Sequence, residues 1–274
     1  MNVILDKSYL DGETSEKVFS LCERHTVMMP DVLFYELLTT DDVSRVRCFS
    51  KIPRRENPLV LIPNVGQYLR FEMERKTPCY PIHMLQEDIQ YKFNDSLREK
   101  GFVLSPELQL LRQKHEAEVK EDTKRFVSRS FEVLGFFKET EGLDNTAVVD
   151  QVESLIDRVA TDHRLVQRLY DIVIPAGDQY FPYRVAPERL GKKWAIYRWV
   201  QTQIIYGLMF FKKYKGGVPA TPSDKFWRGA EHDMIDAHYV LLGSLVGAIA
   251  TRDHTIRDIF KKICPKGFVF GCAA

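Results

Sequence analysis

The sequence predicts an α/β protein in which a short parallel sheet is built from both ends of the chain. Two observations lead to this prediction. Short apolar runs alternate with amphipathic helical patterns at both chain ends, and such alternation is typical of a parallel sheet with packed helices. The middle of the chain carries long helical patterns and few strand signals. We therefore expect a discontinuous domain over 1–40 and 228–274, interrupted by a large, mainly helical insertion over 41–227.

The amino-terminal elements follow from short apolar runs and from residue spacing. Val18, Leu21 and Cys22 recur at helical spacing after the first run, which predicts a helix. Pro30 and Asp31 suit the first turn of another helix, because proline lacks only a hydrogen bond that this position cannot make and an acid is favourable there. The expected order is a strand at 2–5, a helix at 14–24, a strand at 26–29 and a helix through 32–38.

The carboxyl-terminal residues alternate in the same way. Ile256, Ile259, Phe260 and Ile263 fall on one stripe of a helix, with the spacing of a buried face. Pro265 ends this helix. The expected order is a helix at 230–246, a strand at 247–251, a helix at 254–264 and a final strand at 268–270.

The middle of the chain is predicted to be mainly helical. The stretch 55–64 holds either one strand or an extended loop. Stretches rich in proline and glycine at 175–187 and 215–224 predict connections. The expected helices cover 84–100, 106–137, 146–171 and 190–214.

The composition is that of an ordinary globular protein. Of the 274 residues 45% are apolar and 28% are charged, and the net charge is +1, which excludes a surface coated in positive charge but allows a local basic groove. No signal peptide is expected at the start, and the longest apolar stretches are too short or too interrupted by polar residues to span a bilayer. The five cysteines are scattered and form no C-x-x-C pair. This pattern favours reduced thiols in a cytoplasmic protein and argues against a structural zinc site.

Acidic residues follow two of the predicted strands. Asp6 comes directly after the first strand, and Asp253 comes two residues after GAIAT. Because the carboxyl ends of parallel strands lie along one edge of a sheet, we expect both acids at that edge. Glu36 lies among apolar neighbours, where a carboxylate is costly unless it is paired or bound to a cation. Asp233 and Asp236 are three residues apart and share one face of the helix that leads into GAIAT.

Carboxylates that converge without matching basic partners repel one another. Hard divalent cations relieve this repulsion because they take oxygen ligands. The sequence therefore predicts a site for Mg²⁺ or Mn²⁺, which would lower the pKa of an attacking water and neutralise a phosphate.

Four segments on four predicted elements together resemble the PIN-domain nucleases. They are VILDKSYL, MPDVLFYELL, EHDMIDAHYV and AIATRD, and they cover roughly 1–40 and 228–274. In that family a first-strand Asp, a Glu in the second helix, one or two Asp in a late helix and a T-x-D after the next strand bind the metals. The residues that match here are Asp6, Glu36, Asp236 with Asp233, and Asp253. The resemblance implies a three-layer α/β/α fold, from which the long insertion is a departure.

The function implied by the resemblance is metal-dependent hydrolysis of phosphodiester bonds. The expected enzyme is an endoribonuclease on single-stranded RNA, with RNA favoured over DNA and with products that carry a 5′-phosphate and a 3′-hydroxyl. The alternative is a PIN-like interaction or nucleic-acid-binding module with little or no turnover. Toxin, defence and RNA-processing roles stay open, as do a second copy of the chain or an inhibitory protein as partner.

Each acid also has a simpler structural interpretation. Asp6 is a good turn residue, Glu36 could pair with an arginine of the insertion, and Asp233 could simply favour the amino-terminal half of its helix. Asp253 could be the N-cap of the helix at 254–264. Capping and metal binding do not exclude each other.

Two histidine motifs suggest other hydrolases. His232 and Asp233 form an H-D pair like that of the helical HD phosphohydrolases, but the strands at both chain ends do not belong to that class. Arg158 and His163 have the R-x4-H spacing of the metal-free HEPN ribonucleases. Cleavage that resists a chelator would favour the second alternative.

A basic and aromatic stretch lies at 184–228. It holds ten Lys or Arg and two acids, a net charge of +8, together with nine aromatic residues. Cations beside aromatics suit single-stranded nucleic acid, although we expect the aromatics of 194–211 to be core. Lys212, Lys213 and Lys215 are the candidates for substrate contact. Lys7 and Thr251 are softer candidates, since Lys7 could point away from the substrate and Thr251 could be an ordinary strand residue.

Overall fold

The computed structural model describes residues 1–84, 95–174, 183–215 and 217–271. The chain is a mixed α/β protein, mostly helical, with one parallel sheet of five strands, so the predicted class is confirmed. None of the described helices is both long and apolar enough to cross a membrane. The chain divides into two compact units. The first holds Met1–Tyr68, Cys79–Arg112 and Leu242–Ala274, and the second holds Leu69–Pro78 and Gln113–Leu241.

The sheet belongs to the first unit. Its strands are β1 (Asn2–Leu5), β2 (Thr26–Pro30), β3 (Val60–Ile62), β4 (Ala248–Ala250) and β5 (Phe268–Phe270). The order across the sheet is β3-β2-β1-β4-β5, and every pair is parallel. The chain therefore runs from β1 towards one edge through β2 and β3, while β4 and β5 extend the sheet in the other direction. The strand order reverses between β1 and β4.

Five helices lie entirely within the first unit. They are α1 (Lys7–Gly12), α2 (Ser15–Arg24), α3 (Asp31–Thr39), α4 (Asp42–Ser50) and α11 (His254–Ile263). The apolar stripe predicted for α11 is buried in full, as is that of α2. The bounds of the first unit differ from the expected 1–40 and 228–274 in two ways. It extends further at the amino-terminal side, where it includes α4 and β3, and it is shorter at the carboxyl-terminal side, where the start of the last long helix groups with the second unit.

The second unit is helical. Its helices are α5 (Val65–Arg75), α6 (Pro106–Glu132), α7 (Asn145–Thr161), α8 (His163–Val173), α9 (Ala195–Lys213) and α10 (Asp224–Val246), of which α5, α6 and α10 also contribute residues to the first unit. Short 3₁₀ turns occur at Pro81–Met84, Asp95–Arg98, Val133–Phe136, Lys138–Thr140 and Pro187–Arg189.

A buried glutamate caps α9 from another helix. Trp194 at the N-cap of α9 offers no side-chain hydrogen bond. Glu72 of α5 is fully buried, and its two carboxylate oxygens accept hydrogen bonds from the backbone N–H groups of Ala195 at 2.8 Å and Ile196 at 2.9 Å. The carboxylate thus satisfies two N–H groups that a helix start leaves without an intrahelical partner, and its charge is favourable at that end.

Several predicted helix boundaries are wrong. The single helix expected at 146–171 is two helices, because Asp162 ends α7 and its side chain accepts the N–H of Leu165 at 3.0 Å to start α8. The helix expected at 106–137 ends at Glu132 and continues as a 3₁₀ turn. Of the helix expected at 84–100, residues 85–94 lie outside the described residues and 95–98 form a 3₁₀ turn. Of the connection expected at 175–187, residues 175–182 also lie outside the described residues.

Candidate active site

The carboxyl ends of β1 and β4 bring together three of the residues selected from the sequence, namely Asp6, Thr251 and Asp253. The two strands pair with Ile4 beside Ile249 and Leu5 beside Ala250. Asp6 follows β1 directly, and its backbone N–H donates to the Ala250 carbonyl at 3.0 Å. Thr251 follows β4 directly, so the two side chains are neighbours at the edge of the sheet.

The Asp6 carboxylate is the centre of a hydroxyl network. It is only 3% exposed. Its Oδ2 accepts a hydrogen bond from Thr251 Oγ1 at 2.6 Å and another from Ser8 Oγ, and the two hydroxyls lie 3.1 Å apart. Although Asp6 precedes α1, its side chain makes no capping hydrogen bond to that helix. A turn role accounts for its contacts with Ser8 but not for the hydrogen bond from Thr251, which is 245 positions away in the sequence.

Backbone groups hold the two hydroxyls in place. The N–H of Asp253 donates to Thr251 Oγ1 at 3.0 Å and to Ser8 Oγ at 3.1 Å, and the N–H of Arg252 donates to Ser8 Oγ at 2.9 Å. The loop after β4 thus orients both side chains that contact Asp6. A network fixed by the backbone is preorganised, since its groups need little rearrangement when a ligand binds.

The pKa of Asp6 is raised by its surroundings. Burial is the main cause, the hydrogen bonds from Ser8 and Thr251 act in the opposite direction, and the nearby charge of Asp253 adds a smaller upward effect. Burial disfavours the charged carboxylate because the interior solvates it poorly. A carboxylate in this condition gains from a nearby cation.

Removing this charge is expected to stabilise the metal-free protein. Since the folded state holds the Asp6 proton more tightly than the unfolded chain, the carboxylate lowers the free energy of unfolding as pH rises from the ordinary value of 3.8 to the raised pKa, and the loss is complete above it. We expect Asp6→Asn to raise the Tm at neutral pH, by roughly 2–4 °C for each kcal/mol gained in the free energy of unfolding. The difference in Tm between the variant and the wild type should vanish below the ordinary pKa of Asp. Calorimetry in chelator across a pH series measures this. A variant less stable than the wild type at neutral pH would show that the carboxylate is structural.

Asp253 caps the helix that follows it. Its Oδ1 accepts the N–H groups of Thr255 at 2.7 Å and Ile256 at 3.0 Å at the start of α11, so the capping role anticipated from the sequence is present. Its Oδ2 makes no hydrogen bond within the described part of the chain. Capping therefore occupies one oxygen of the carboxylate and leaves the other for a ligand.

Glu36 is the third acid that lies in the first unit. It is 9% exposed and sits on α3, whose other buried residues are Leu33 and Leu37. The helix starts directly after β2, which pairs with β1. Glu36 is therefore a buried carboxylate on the helix that follows the carboxyl end of β2, the strand next to β1.

The two late acids lie on the part of α10 that belongs to the second unit. Asp233 Oδ2 is 2.9 Å from Lys213 Nζ, so a predicted metal ligand forms an ion pair with a predicted substrate-binding lysine. Asp236, three residues further on, is half-buried. Among the residues that the structure describes, no group of three or more His, Cys, Asp or Glu side chains is placed to hold a metal ion. The predicted ligand set stays a prediction.

The candidate substrate-binding lysines have different surroundings. Lys212 Nζ lies 2.8 Å from Glu153 Oε1, while Lys213 is paired with Asp233 as described. Lys215 is exposed and has a positive φ of 50°. Lys7 is half-buried at the first position of α1. Two of the four cations are therefore already neutralised within the second unit.

The aromatic residues of the basic stretch are mostly core, as expected for 194–211. Those that are buried in the second unit are Trp194, Tyr197, Trp199, Tyr206, Phe210, Phe211 and Phe226. Arg198 is buried with them and donates to the Gln201 side chain at 2.7 Å. The stretch therefore presents much less positive charge and fewer stacking surfaces than its sequence indicates.

The R-x4-H motif spans the break between two helices. Arg158 on α7 forms an ion pair with Glu139. His163 is the first residue of α8, and its ring centroid lies 5.1 Å from that of Tyr197.

Sequence reasoning missed Ser8 and Arg252. Ser8 contacts Asp6, Thr251 and the loop after β4, and its only sequence signal is its position two residues after a strand-end aspartate. Arg252 Nη1 donates to the Gly12 carbonyl, and a Cβ at Gly12 would lie 2.7 Å from Arg252 Cδ. The absence of a side chain at Gly12 therefore lets the arginine lie across the end of α1.

No protein-family model, curated protein or solved structure matches this chain.

Proposed function

We propose that this protein is a metal-dependent nuclease with a PIN-like fold, and that it is an endoribonuclease acting on single-stranded RNA. The observation that carries the proposal is the position of Asp6, with Thr251 and Asp253, where the strand order reverses between β1 and β4. Ligands of open parallel sheets bind outside the carboxyl ends of the strands at this switch point. A buried carboxylate with a shifted pKa at such a point is a candidate functional group.

The donor atoms at this edge fit a hard divalent cation. They are carboxylate and hydroxyl oxygens, which Mg²⁺ and Mn²⁺ prefer. In the proposal Asp6 and Asp253 hold the ion with Glu36, all three in the first unit. Asp236 and Asp233 of the second unit are ligand candidates from the sequence resemblance, and Asp233 is the weaker one because it is paired with Lys213. A bound ion of this kind lowers the pKa of a water molecule and neutralises phosphate charge.

The chain's own groups position the reactive carboxylate. The hydroxyls of Thr251 and Ser8 both donate to Oδ2 of Asp6, and the Ser8 backbone N–H also acts on this carboxylate. Because the hydroxyls are themselves fixed by the Arg252 and Asp253 N–H groups, Asp6 is held in one orientation. The proposed role of Thr251 is therefore to orient Asp6 rather than to bind phosphate.

The strand order also supports a three-layer arrangement. The crossover from β1 to β2 and the crossover from β4 to β5 run in opposite directions across the sheet. Since parallel crossovers are almost always right-handed, α2 and α11 are expected on opposite faces. This is the basis for proposing the α/β/α layers of the PIN-like fold.

A binding or interaction module with little turnover is the second candidate. Two observations favour it, namely the use of one Asp253 oxygen in capping and the ion pairs of Lys212 and Lys213. A direct test of turnover separates the two candidates.

The test is cleavage of end-labelled single-stranded RNA by the full chain, with DNA of the same sequence in parallel. We expect cleavage in Mn²⁺ or Mg²⁺, faster for RNA, with 5′-phosphate products and no activity in chelator. Cleavage that survives chelator would favour the metal-free alternative based on Arg158 and His163. Binding of RNA without cleavage in either metal would favour the module.

A further inference from the structure

The second unit contains a groove beside α8. Its volume is ≈ 600 Å³, within the range of about 300–1,000 Å³ that is usual for ligand sites. Two arginines and a glutamine of α8 line it, together with three acids and a proline, namely Arg164, Arg168, Gln167, Asp162, Asp171, Glu188 and Pro187. The groove therefore has the size of a binding site and a wall with two guanidinium groups.

Two of the acids that line the groove already have partners. Asp162 accepts the Leu165 N–H at 3.0 Å as the N-cap of α8, and Asp171 forms an ion pair with Arg184. Glu188 is exposed.

The two arginines on α8 are differently placed. Arg164 and Arg168 are exposed, and neither forms an ion pair or hydrogen bond with any residue that the structure describes. They are therefore the two cations of the groove that are available to a ligand, alongside the exposed acid Glu188.

The spacing of these arginines suits a chain of phosphates. Residues four apart lie on the same face of a helix as neighbours, so the two side chains project from the same wall. A guanidinium binds a phosphate through a planar fork of donors. Gln167, between them, donates its amide N–H to the Leu190 carbonyl at 3.0 Å, which holds this wall against the segment that follows the 3₁₀ turn.

We propose that this groove binds the phosphodiester backbone of single-stranded nucleic acid, with Arg164 and Arg168 each contacting a phosphate. The inference rests on the proposed nuclease function and names a substrate contact for it. A nucleic acid is favoured over an acidic peptide because it presents a charge at every residue, so two arginines one turn apart meet phosphates whatever the sequence. The groove replaces Lys212 and Lys213, which are paired with carboxylates, as the main cationic contact.

The test is the salt dependence of binding in an Asp6→Asn background, so that the RNA is not cleaved. Fluorescence anisotropy with labelled single-stranded RNA gives the slope of log affinity against log salt concentration. Replacing both arginines by Gln is expected to reduce the magnitude of this slope by about 1.4, because each lost phosphate contact removes about 0.7 for a single strand. The loss should be similar for unrelated sequences, since phosphate contacts do not read bases.

A matched control is available on α6 of the same unit. Lys124 lies 3.7 Å from Glu121, and Arg125 lies 3.5 Å from Asp122, so both cations are exposed but paired. Replacing these two by Gln removes the same charge and is expected to leave the slope unchanged. An equal reduction in both variants would indicate a long-range charge effect and would overturn the proposed contact.

The outcomes for the groove and for the nuclease are separable. If the wild type cleaves RNA and the Arg164→Gln/Arg168→Gln variant keeps the parent slope, the proposed RNA contact in the groove is wrong and the proposed nuclease function is supported. If the double variant shows the predicted change of slope but the wild type never cleaves RNA, the proposed RNA contact is supported and the proposed nuclease function is wrong. The proposed RNA contact is also overturned if the parent protein does not bind RNA, or if it binds a poly-glutamate probe in preference to RNA.

Discussion

Replacing Asp6 by Asn is expected to reduce RNA cleavage by ~10³-fold or more, since loss of one preorganised electrostatic group at a reacting centre already costs about 10²–10³. The amide can still accept the hydrogen bonds from Thr251 and Ser8, so the fold should be kept. What is lost is the negative charge at the switch point between β1 and β4. Initial rates of single-stranded RNA cleavage in Mn²⁺ measure the effect.

The matched control for this variant is Asp11→Asn. Asp11 lies on α1, the short helix that follows Asp6. It is exposed and forms an ion pair with Arg47, so the chemical change is the same but lies away from the site. Its cleavage rate should stay within about 2-fold of the wild type, as expected for a surface substitution. Equal activity of the Asp6 variant and the wild type would remove Asp6 from the site.

Replacing Glu72 by Ala is expected to lower the free energy of unfolding of the second unit by about 2–5 kcal/mol. The substitution leaves the Ala195 and Ile196 N–H groups buried without their acceptor, and each unsatisfied group costs about 1–3 kcal/mol. It also removes a negative charge from the start of α9. Urea denaturation followed by tryptophan fluorescence measures this unit, because all three tryptophans, Trp194, Trp199 and Trp227, lie in it.

Two variants on the same helix control for this prediction. Glu74 is exposed, so Glu74→Ala should change stability by less than about 0.5 kcal/mol. Glu72→Gln should be intermediate, since a Gln side chain has one acceptor oxygen where the carboxylate has two. If Glu72→Ala matched Glu74→Ala, the cap seen across these helices would contribute nothing to stability.

The strands of the sheet were predictable because each is a short apolar run. Four of the five were assigned at or within one residue of their observed ends, and β3 lies in the stretch 55–64 that was left as strand or loop. Helix boundaries were harder to predict where the apolar periodicity and the capping residues disagree. The apolar pattern of 146–171 continues through Asp162, so the break between α7 and α8 is marked only by a capping residue. The helix α4 was missed although Asp41 caps it by accepting the Ser44 N–H at 2.9 Å.

The candidate site was predictable in position more than in detail. A parallel sheet requires strand-end residues to share an edge, and this led to the prediction that Asp6 and Asp253 lie at the same edge; the contact of Asp6 with Thr251 was not predicted. Long-range pairings have no such rule. Glu153 is 59 positions from Lys212, and nothing in the local sequence indicates that the two side chains meet. Ser8 was overlooked for a related reason, since its role depends on a loop 244 positions away.

That separation has a consequence for how the protein is made. Thr251 is synthesised 245 positions after Asp6, its partner at the site, and at about 5–20 residues per second this separation takes roughly 12–50 s on the ribosome. Throughout this interval the side of β1 that will receive β4 is an unpaired strand edge, open to aggregation or to chaperones. The same delay means that a ribosome-bound chain lacks the assembled Asp6 network until β4 has emerged, so under the proposed nuclease function the site would form only after this part of the message has been translated.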